Sequence, residues 1–189
     1  MSILYVPDTT DPHLGGTESA LTLAYPGQCF LYNTTQTIKD QMKGEKHEEF
    51  TVAVVHGLGW EFFWRAFDMG FFPNIRHVIV FGAKTSVHAF EEKKWIVSMH
   101  KLKTVHVLPV NGPGKPQYTE EDIQKNKNTS IVRLHGMHPD MQQCFYKNED
   151  GEDAREEEPV RKFFPDELRT LVQRLVDRYT VPDEDDIHV

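Results

Sequence analysis

The residues best suited to chemistry near the start of the chain are carboxylates and glycines in one short stretch. Asp8 and Asp11 flank two threonines, and Pro12-His13 leads into the double glycine Gly15-Gly16. Glycines ahead of a helix let backbone N–H groups approach an anion or a flat ligand closely. The same residues would equally form a strand-to-helix turn capped by Asp and Thr. The stretch matches neither a GxGxxG nor a Walker A loop, so it specifies no particular nucleotide.

Asn33 is a second candidate, because it ends the apolar run CFLY. A side-chain amide offers a donor and an acceptor side by side, which suits the edge of a purine or a pyrimidine. The alternative is an asparagine that caps a helix. Both interpretations remain open at this point.

Four histidines, His56, His106, His135 and His138, fall near the predicted carboxyl ends of strands. Imidazole suits proton transfer or the stabilisation of charge near neutral pH. His135 and His138 with Asp140 supply only part of a metal site, so no metal is predicted. The alternative for each histidine is a hydrogen-bonded residue at a strand end.

These side chains need a scaffold, and short runs rich in β-branched residues provide it. Their nearly continuous apolarity favours strands buried on both faces, as in a parallel sheet. Strands are predicted over 2–8, 28–33, 50–57, 76–82, 104–112 and 130–136. Helices are predicted over 17–24, 35–43, 60–70, 85–100, 119–126 and 164–179. This alternation predicts an α/β fold, a three-layer α/β/α arrangement with a mostly parallel central sheet.

Ligands of such sheets bind outside the carboxyl ends of the strands, where the chain carries a polar, histidine-rich rim that includes Asn111. Thr119 and Asp122 have the spacing of a helix N-terminal cap. Phe62, Phe63 and Phe67 have helical spacing, which favours a place in the core over a binding surface.

Charge is distributed unevenly along the chain. We expect an α/β domain over 1–146, an acidic linker or loop over 147–162, a C-terminal helix packed on the domain over 163–180, and an acidic tail over 181–189. A net charge of −8 argues against broad electrostatic capture of nucleic acid. Without an apolar run long enough for a bilayer or a secretory signal, the chain is expected to be soluble and intracellular, in cytoplasm or nucleus.

Taken together and in order, several segments resemble the uracil-DNA glycosylase superfamily. The first is TDPHLGGTESALTLAY, with its Asp-Pro turn, its glycines and Tyr25, and the second is CFLYNTTQT, a strand that ends in Asn33. GWEFF, VIVFGA and KTVHVLPVNG follow in the family's order, and His106 occupies the histidine position. The chain departs from the family at Thr10, where glutamine is frequent, and at His13, where the family has tyrosine.

This resemblance implies a mechanism and a partner, DNA. A flipped base would stack on Tyr25 and be recognised by Asn33, with His13 and Asn111 also in the substrate site. Asp11 would orient water or stabilise the cationic sugar. His106, or alternatively His138 in the segment HGMHPD, would stabilise negative charge on the departing base. The resemblance implies neither a metal nor an organic cofactor.

A second resemblance leads to a different class of enzyme. The opening segment ILYVPDTTDPHLGGTESALTLA is similar to the start of GT-B glycosyltransferases, in which a Gly-Gly turn begins the first helix. Those enzymes need a second domain for the sugar nucleotide, and 189 residues are too few for it. A non-catalytic Rossmann-like module that binds a nucleotide or a partner protein is the third hypothesis.

Overall fold

A computed structural model describes residues 2–6, 29–31, 47–86, 101–110, 117–135 and 165–179 of the chain. The predicted helices at 17–24 and 35–43, and residues 87–100 of a third, lie outside the described segments, as do the segment 147–162 and the tail. Within these segments, no helix is both long and apolar enough to cross a membrane.

Six parallel strands form one sheet in the described part of the chain. They are β1 Ser2–Val6, β2 Cys29–Leu31, β3 Phe50–His56, β4 His77–Phe81, β5 Lys103–Val110 and β6 Thr129–His135. Their order across the sheet is β2-β1-β3-β4-β5-β6, and every neighbouring pair is parallel. The predicted α/β fold with a parallel sheet is therefore confirmed.

Three helices accompany the sheet in the described segments: α1 Gly59–Asp68, α2 Glu120–Gln124 and α3 Pro165–Tyr179. The predicted cap of α2 is confirmed as a reciprocal pair. The Thr119 side chain accepts from the Asp122 N–H at 3.2 Å, and the Asp122 carboxylate accepts from the Thr119 N–H at 3.2 Å. These bonds satisfy donors that the first turn of a helix leaves open.

Helix α1 ends in a Schellman motif. Gly70 has φ +83°, its N–H donates to the Phe67 carbonyl at 2.9 Å, and the Phe71 N–H donates to the Ala66 carbonyl at 3.1 Å. Glycine takes up this left-handed backbone without the steric penalty that a Cβ imposes. The motif returns the chain toward β4.

Successive residues of the strands contribute to two hydrophobic cores, one on each face of the sheet. The α1-side core joins strand residues to α1 and to Tyr118 and Ile123; its strand members include Leu4, Val6, Ala53, Val55, Val78, Val80 and Leu108. The α3-side core joins strand residues to Leu175 and Val176 of α3; its strand members are Ile3, Tyr5, Val52, Val54, Ile79, Phe81, Val105 and Val107. Phe62 and Phe63 are buried in the α1-side core and Phe67 packs against it, as their spacing predicts.

Candidate functional site

The strand order reverses direction beside β1. From β1 the chain moves to β2 on one side and then crosses back to β3 on the other, so β1 lies between them. In doubly wound sheets, the connections that leave the two strands at such a reversal run to opposite faces and open a crevice at the carboxyl ends. The carboxyl ends of β1 and β3 are therefore the candidate position for a ligand site.

Two glycine turns lie at the carboxyl ends of β3 and β4, next to this reversal. The carboxyl ends of β1, β3 and β4, with the turns at Gly57 and Gly82, are called the carboxyl edge below. Gly57 follows β3 with φ +51°, and Gly82 follows β4 with φ +55°. The Gly57 N–H donates to the Phe81 carbonyl and the Gly82 N–H donates to the Val107 carbonyl, each at 3.1 Å. Each strand is thus followed by a left-handed glycine whose N–H donates to the neighbouring strand.

The turn between β3 and α1, residues 57–59, consists of two buried glycines and the half-buried Leu58. Its N-cap residue is Leu58, whose side chain cannot accept a hydrogen bond, and Gly59 begins the helix. The Gly57 carbonyl accepts two hydrogen bonds, from the Trp60 N–H at 3.2 Å and from the Lys84 N–H at 3.0 Å. The latter bond brings the backbone of Lys84 to the same edge.

His56 is the last residue of β3 and is fully buried. Its ring stacks on Phe81 with centroids 4.6 Å apart and planes 8° apart, and it forms a T-shaped contact with Tyr5 at a centroid distance of 5.6 Å. These contacts connect the ends of β1, β3 and β4 on the α3-side face. The resemblance did not assign a role to His56, although its position at a strand end was visible in the sequence.

His106 lies inside β5, which continues to Val110, and 1% of its surface is exposed. Its ring forms a T-shaped contact with Trp60 at a centroid distance of 5.5 Å and lies 6.3 Å from the ring of Tyr118, so it faces the α1-side core. The Nδ1 atom has no hydrogen-bond partner among the described residues. Burial lowers the pKa of His106 to about 3, so the imidazole is neutral at physiological pH.

The loop Gly82–Ser86, called the β4 loop below, is held by side chains from distant segments. The Gln117 side chain accepts from the Thr85 N–H at 2.7 Å and donates to the Thr85 carbonyl at 2.9 Å. The Tyr118 hydroxyl donates to Thr85 Oγ1 at 3.1 Å. Burial raises the pKa of Tyr118 well above its usual range, which keeps this hydroxyl protonated as a donor.

The carboxylate of Glu61 holds the end of the same loop. Its Oε2 accepts from the Ser86 N–H at 2.9 Å, and its Oε1 accepts from Ser86 Oγ at 2.9 Å. Arg65, one turn later in α1, donates to Oε1 at 2.9 Å. The β4 loop is thereby connected to α1, to the β3–α1 turn and to the segment before α2.

Of the residues predicted for the site, only His106 lies in the described segments; Asp11, His13, Tyr25, Asn33, Asn111 and His138 lie outside them. The strands that precede Asp11 and Asn33 are adjacent, with Tyr5 opposite Leu31. β5, which carries His106, is four strand spacings from β2, about 19 Å at the usual spacing of strands. Asp11 and Asn33 thus follow neighbouring strands in the sequence. His106 lies on a strand that neighbours neither of those strands.

The described segments contain no group of three or more His, Cys, Asp or Glu side chains arranged to hold a metal ion. Neither a protein family, nor a curated protein, nor a solved structure was found to match this chain.

Proposed function

We propose that this chain binds a nucleotide or a nucleotide-like ligand at the carboxyl edge of its sheet, between β1 and β3. The observation that carries the proposal is the reversal of strand order at β1. Ligands of open parallel sheets, and mononucleotides in particular, bind at this kind of position because the connections diverge there and leave a crevice.

The residues at this edge suit the two halves of a nucleotide. The β3–α1 turn leads into the N-terminus of α1, whose dipole favours a negatively charged phosphate. Lys84, whose backbone is bonded to Gly57, would add a positive charge to the phosphate side. The second half, a base or sugar, would extend toward the connections after β1 and β2, which contain the candidate residues Asp11 and Asn33.

The second candidate function is excision of a modified or mismatched base from DNA by cleavage of the N-glycosidic bond. It is favoured by the adjacency of β1 and β2, because Asp11 and Asn33 follow these two strands in sequence. In this proposal Asn33 recognises the base, Tyr25 stacks on it, and Asp11 assists attack of water on the sugar. Because β5 is four strand spacings from β2, His106 is no better placed than His138, or than another residue of the carboxyl edge, to stabilise the leaving base.

Calorimetry with ATP, NAD and UDP-glucose tests the first proposal, with Lys84→Gln as the informative variant. Loss of a charge-assisted contact to phosphate is expected to weaken binding roughly tenfold or more. Lys101→Gln is the matched control, because Lys101 is exposed and lies before β5, at the amino ends of the strands and away from the proposed site. The proposal fails if none of the three nucleotides binds, or if both variants weaken binding equally.

The excision proposal needs its own assay. Duplex DNA that carries uracil or another modified base is incubated with the wild type, Asp11→Asn and Asn33→Ala, and abasic product is measured. Product from the wild type that falls sharply in both variants would support excision. No abasic product from any substrate would exclude it and leave nucleotide binding alone.

A further inference from the structure

The β4 loop has an unusual set of hydrogen bonds for an irregular segment. Three consecutive backbone N–H groups, those of Lys84, Thr85 and Ser86, donate to three different parts of the fold. Their acceptors are the Gly57 carbonyl at 3.0 Å, the Gln117 side chain at 2.7 Å and the Glu61 carboxylate at 2.9 Å. The backbone path of the loop is thus fixed at each of these residues.

The three acceptors differ in their relation to the proposed ligand. Gly57 belongs to the β3–α1 turn, which lines the carboxyl edge. Gln117 lies 32 residues after Thr85, and Glu61 lies 25 residues before Ser86, so both reach the loop from other segments. If either of these side chains releases the loop, the Lys84–Gly57 bond loses the support that fixes its geometry.

We infer that Gln117 and Glu61 are positioning residues for the carboxyl edge, which hold the β4 loop against the β3–α1 turn and thereby set the affinity for a nucleotide without contacting it. This inference rests on the proposed nucleotide binding. Its physical basis is preorganisation: a loop already held in its binding geometry loses less conformational freedom when the ligand arrives.

Two variants test the inference, each with a matched control. Gln117→Leu removes both bonds to the Thr85 backbone, and Gln124→Leu makes the same change at an exposed position of α2. Glu61→Ala removes both acceptor oxygens from the Ser86 N–H and hydroxyl, and Glu121→Ala is its exposed control. The Glu61–Ser86 bonds lie at the surface, so Glu61→Ala is expected to keep its fold.

Amide hydrogen exchange of the β4 loop is the readout that does not depend on a ligand. Exchange at Thr85 and Ser86 is expected to become roughly tenfold faster in the two variants and to stay unchanged in the controls, since each loses about one net hydrogen bond of protection or more. Circular dichroism checks that the variants remain folded. Unchanged exchange in both Gln117→Leu and Glu61→Ala would overturn the inference.

Binding of ATP, NAD and UDP-glucose to the same proteins completes the test. Any nucleotide that binds the wild type is expected to bind both variants roughly tenfold more weakly with the same stoichiometry, whereas both controls bind normally. Faster exchange with unchanged affinity would overturn the positioning role while leaving nucleotide binding intact. Failure of the wild type to bind any of the three would overturn the proposed function, and the positioning role with it.

Discussion

The side-chain amide of Gln117 pairs with both backbone groups of Thr85, in the way that a neighbouring strand would. The two bonds, 2.7 Å and 2.9 Å long, satisfy a backbone donor and a backbone acceptor of a residue that is 3% exposed. A buried backbone group without a partner is costly, so this pair belongs among the contacts that stabilise the loop.

Replacing Gln117 with leucine is therefore expected to lower the free energy of unfolding. The expected loss is about 2 kcal/mol, because the Thr85 N–H and carbonyl lose their partners in a mostly buried environment. Urea denaturation measures the change, and Gln124→Leu should stay within about 0.5 kcal/mol of the wild type. Equal effects of the two substitutions would contradict the importance of the pair.

Because His106 is buried, we expect the free energy of unfolding to depend on pH. Burial lowers the pKa of this histidine from the ordinary 6.5 to about 3 in the folded protein, so the unfolded chain takes up the proton first as the pH falls. The stabilising contribution is complete above pH 6.5 and is lost progressively toward pH 3. Between pH 7 and pH 5 the loss amounts to about 2 kcal/mol.

The His106→Phe variant isolates this contribution. Phenylalanine keeps a flat ring between Trp60 and Tyr118 but cannot be protonated. Denaturation curves at several pH values should show a shallower acid destabilisation in the variant than in the wild type. Since all other histidines are common to the two proteins, parallel curves would show that His106 is not buried as a neutral imidazole.

Gly70 allows backbone strain to be measured apart from steric clashes. Its φ is +83°, and a Cβ added there would meet nothing within 4 Å. Gly70→Ala is therefore expected to cost about 1 kcal/mol, entirely from the left-handed backbone. Gly70→Asn should cost less because asparagine tolerates this conformation better, and thermal denaturation can rank the three proteins. A larger loss in Gly70→Asn than in Gly70→Ala would refute this explanation.

The cap of α2 gives a local prediction near the β4 loop. Thr119→Ala removes the side-chain acceptor for the Asp122 N–H and is expected to destabilise the protein by about 1 kcal/mol. Thr119→Ser keeps the acceptor oxygen and should behave nearly as the wild type in the same urea titration. If serine fails to preserve stability, the methyl group of Thr119 and not its hydroxyl is the important part.

The strands were predictable because parallel strands buried on both faces leave a strong apolar signal. Every described strand lies within two residues of its predicted bounds at the amino end, and β3 ends at His56 next to the predicted Gly57. β5 contains Pro109, a residue uncommon in central strands. β4 ends opposite Val107, so only β6 pairs with β5 at that proline.

The site was less accessible to sequence reasoning. His106 was predicted near the rim, but β5 extends four residues beyond it and places the ring in the α1-side core. The bonds between Gln117 and Thr85 join residues 32 positions apart, and neither residue belongs to a periodic pattern. A tertiary contact of this kind arises from the path of two loops, which no local pattern encodes.

The glycine turns after β3 and β4 are arranged in series. After β3, the Gly57 N–H donates a hydrogen bond to the carbonyl of Phe81 in β4. After β4, the Gly82 N–H donates a hydrogen bond to the carbonyl of Val107 in β5. A displacement of β5 at Val107 would thus be passed from one strand exit to the next until it reached the turn beside β1. The ends of β3 and β4 and Val107 of β5 are thus joined in sequence by backbone hydrogen bonds, which lead toward β1, where the strand order reverses.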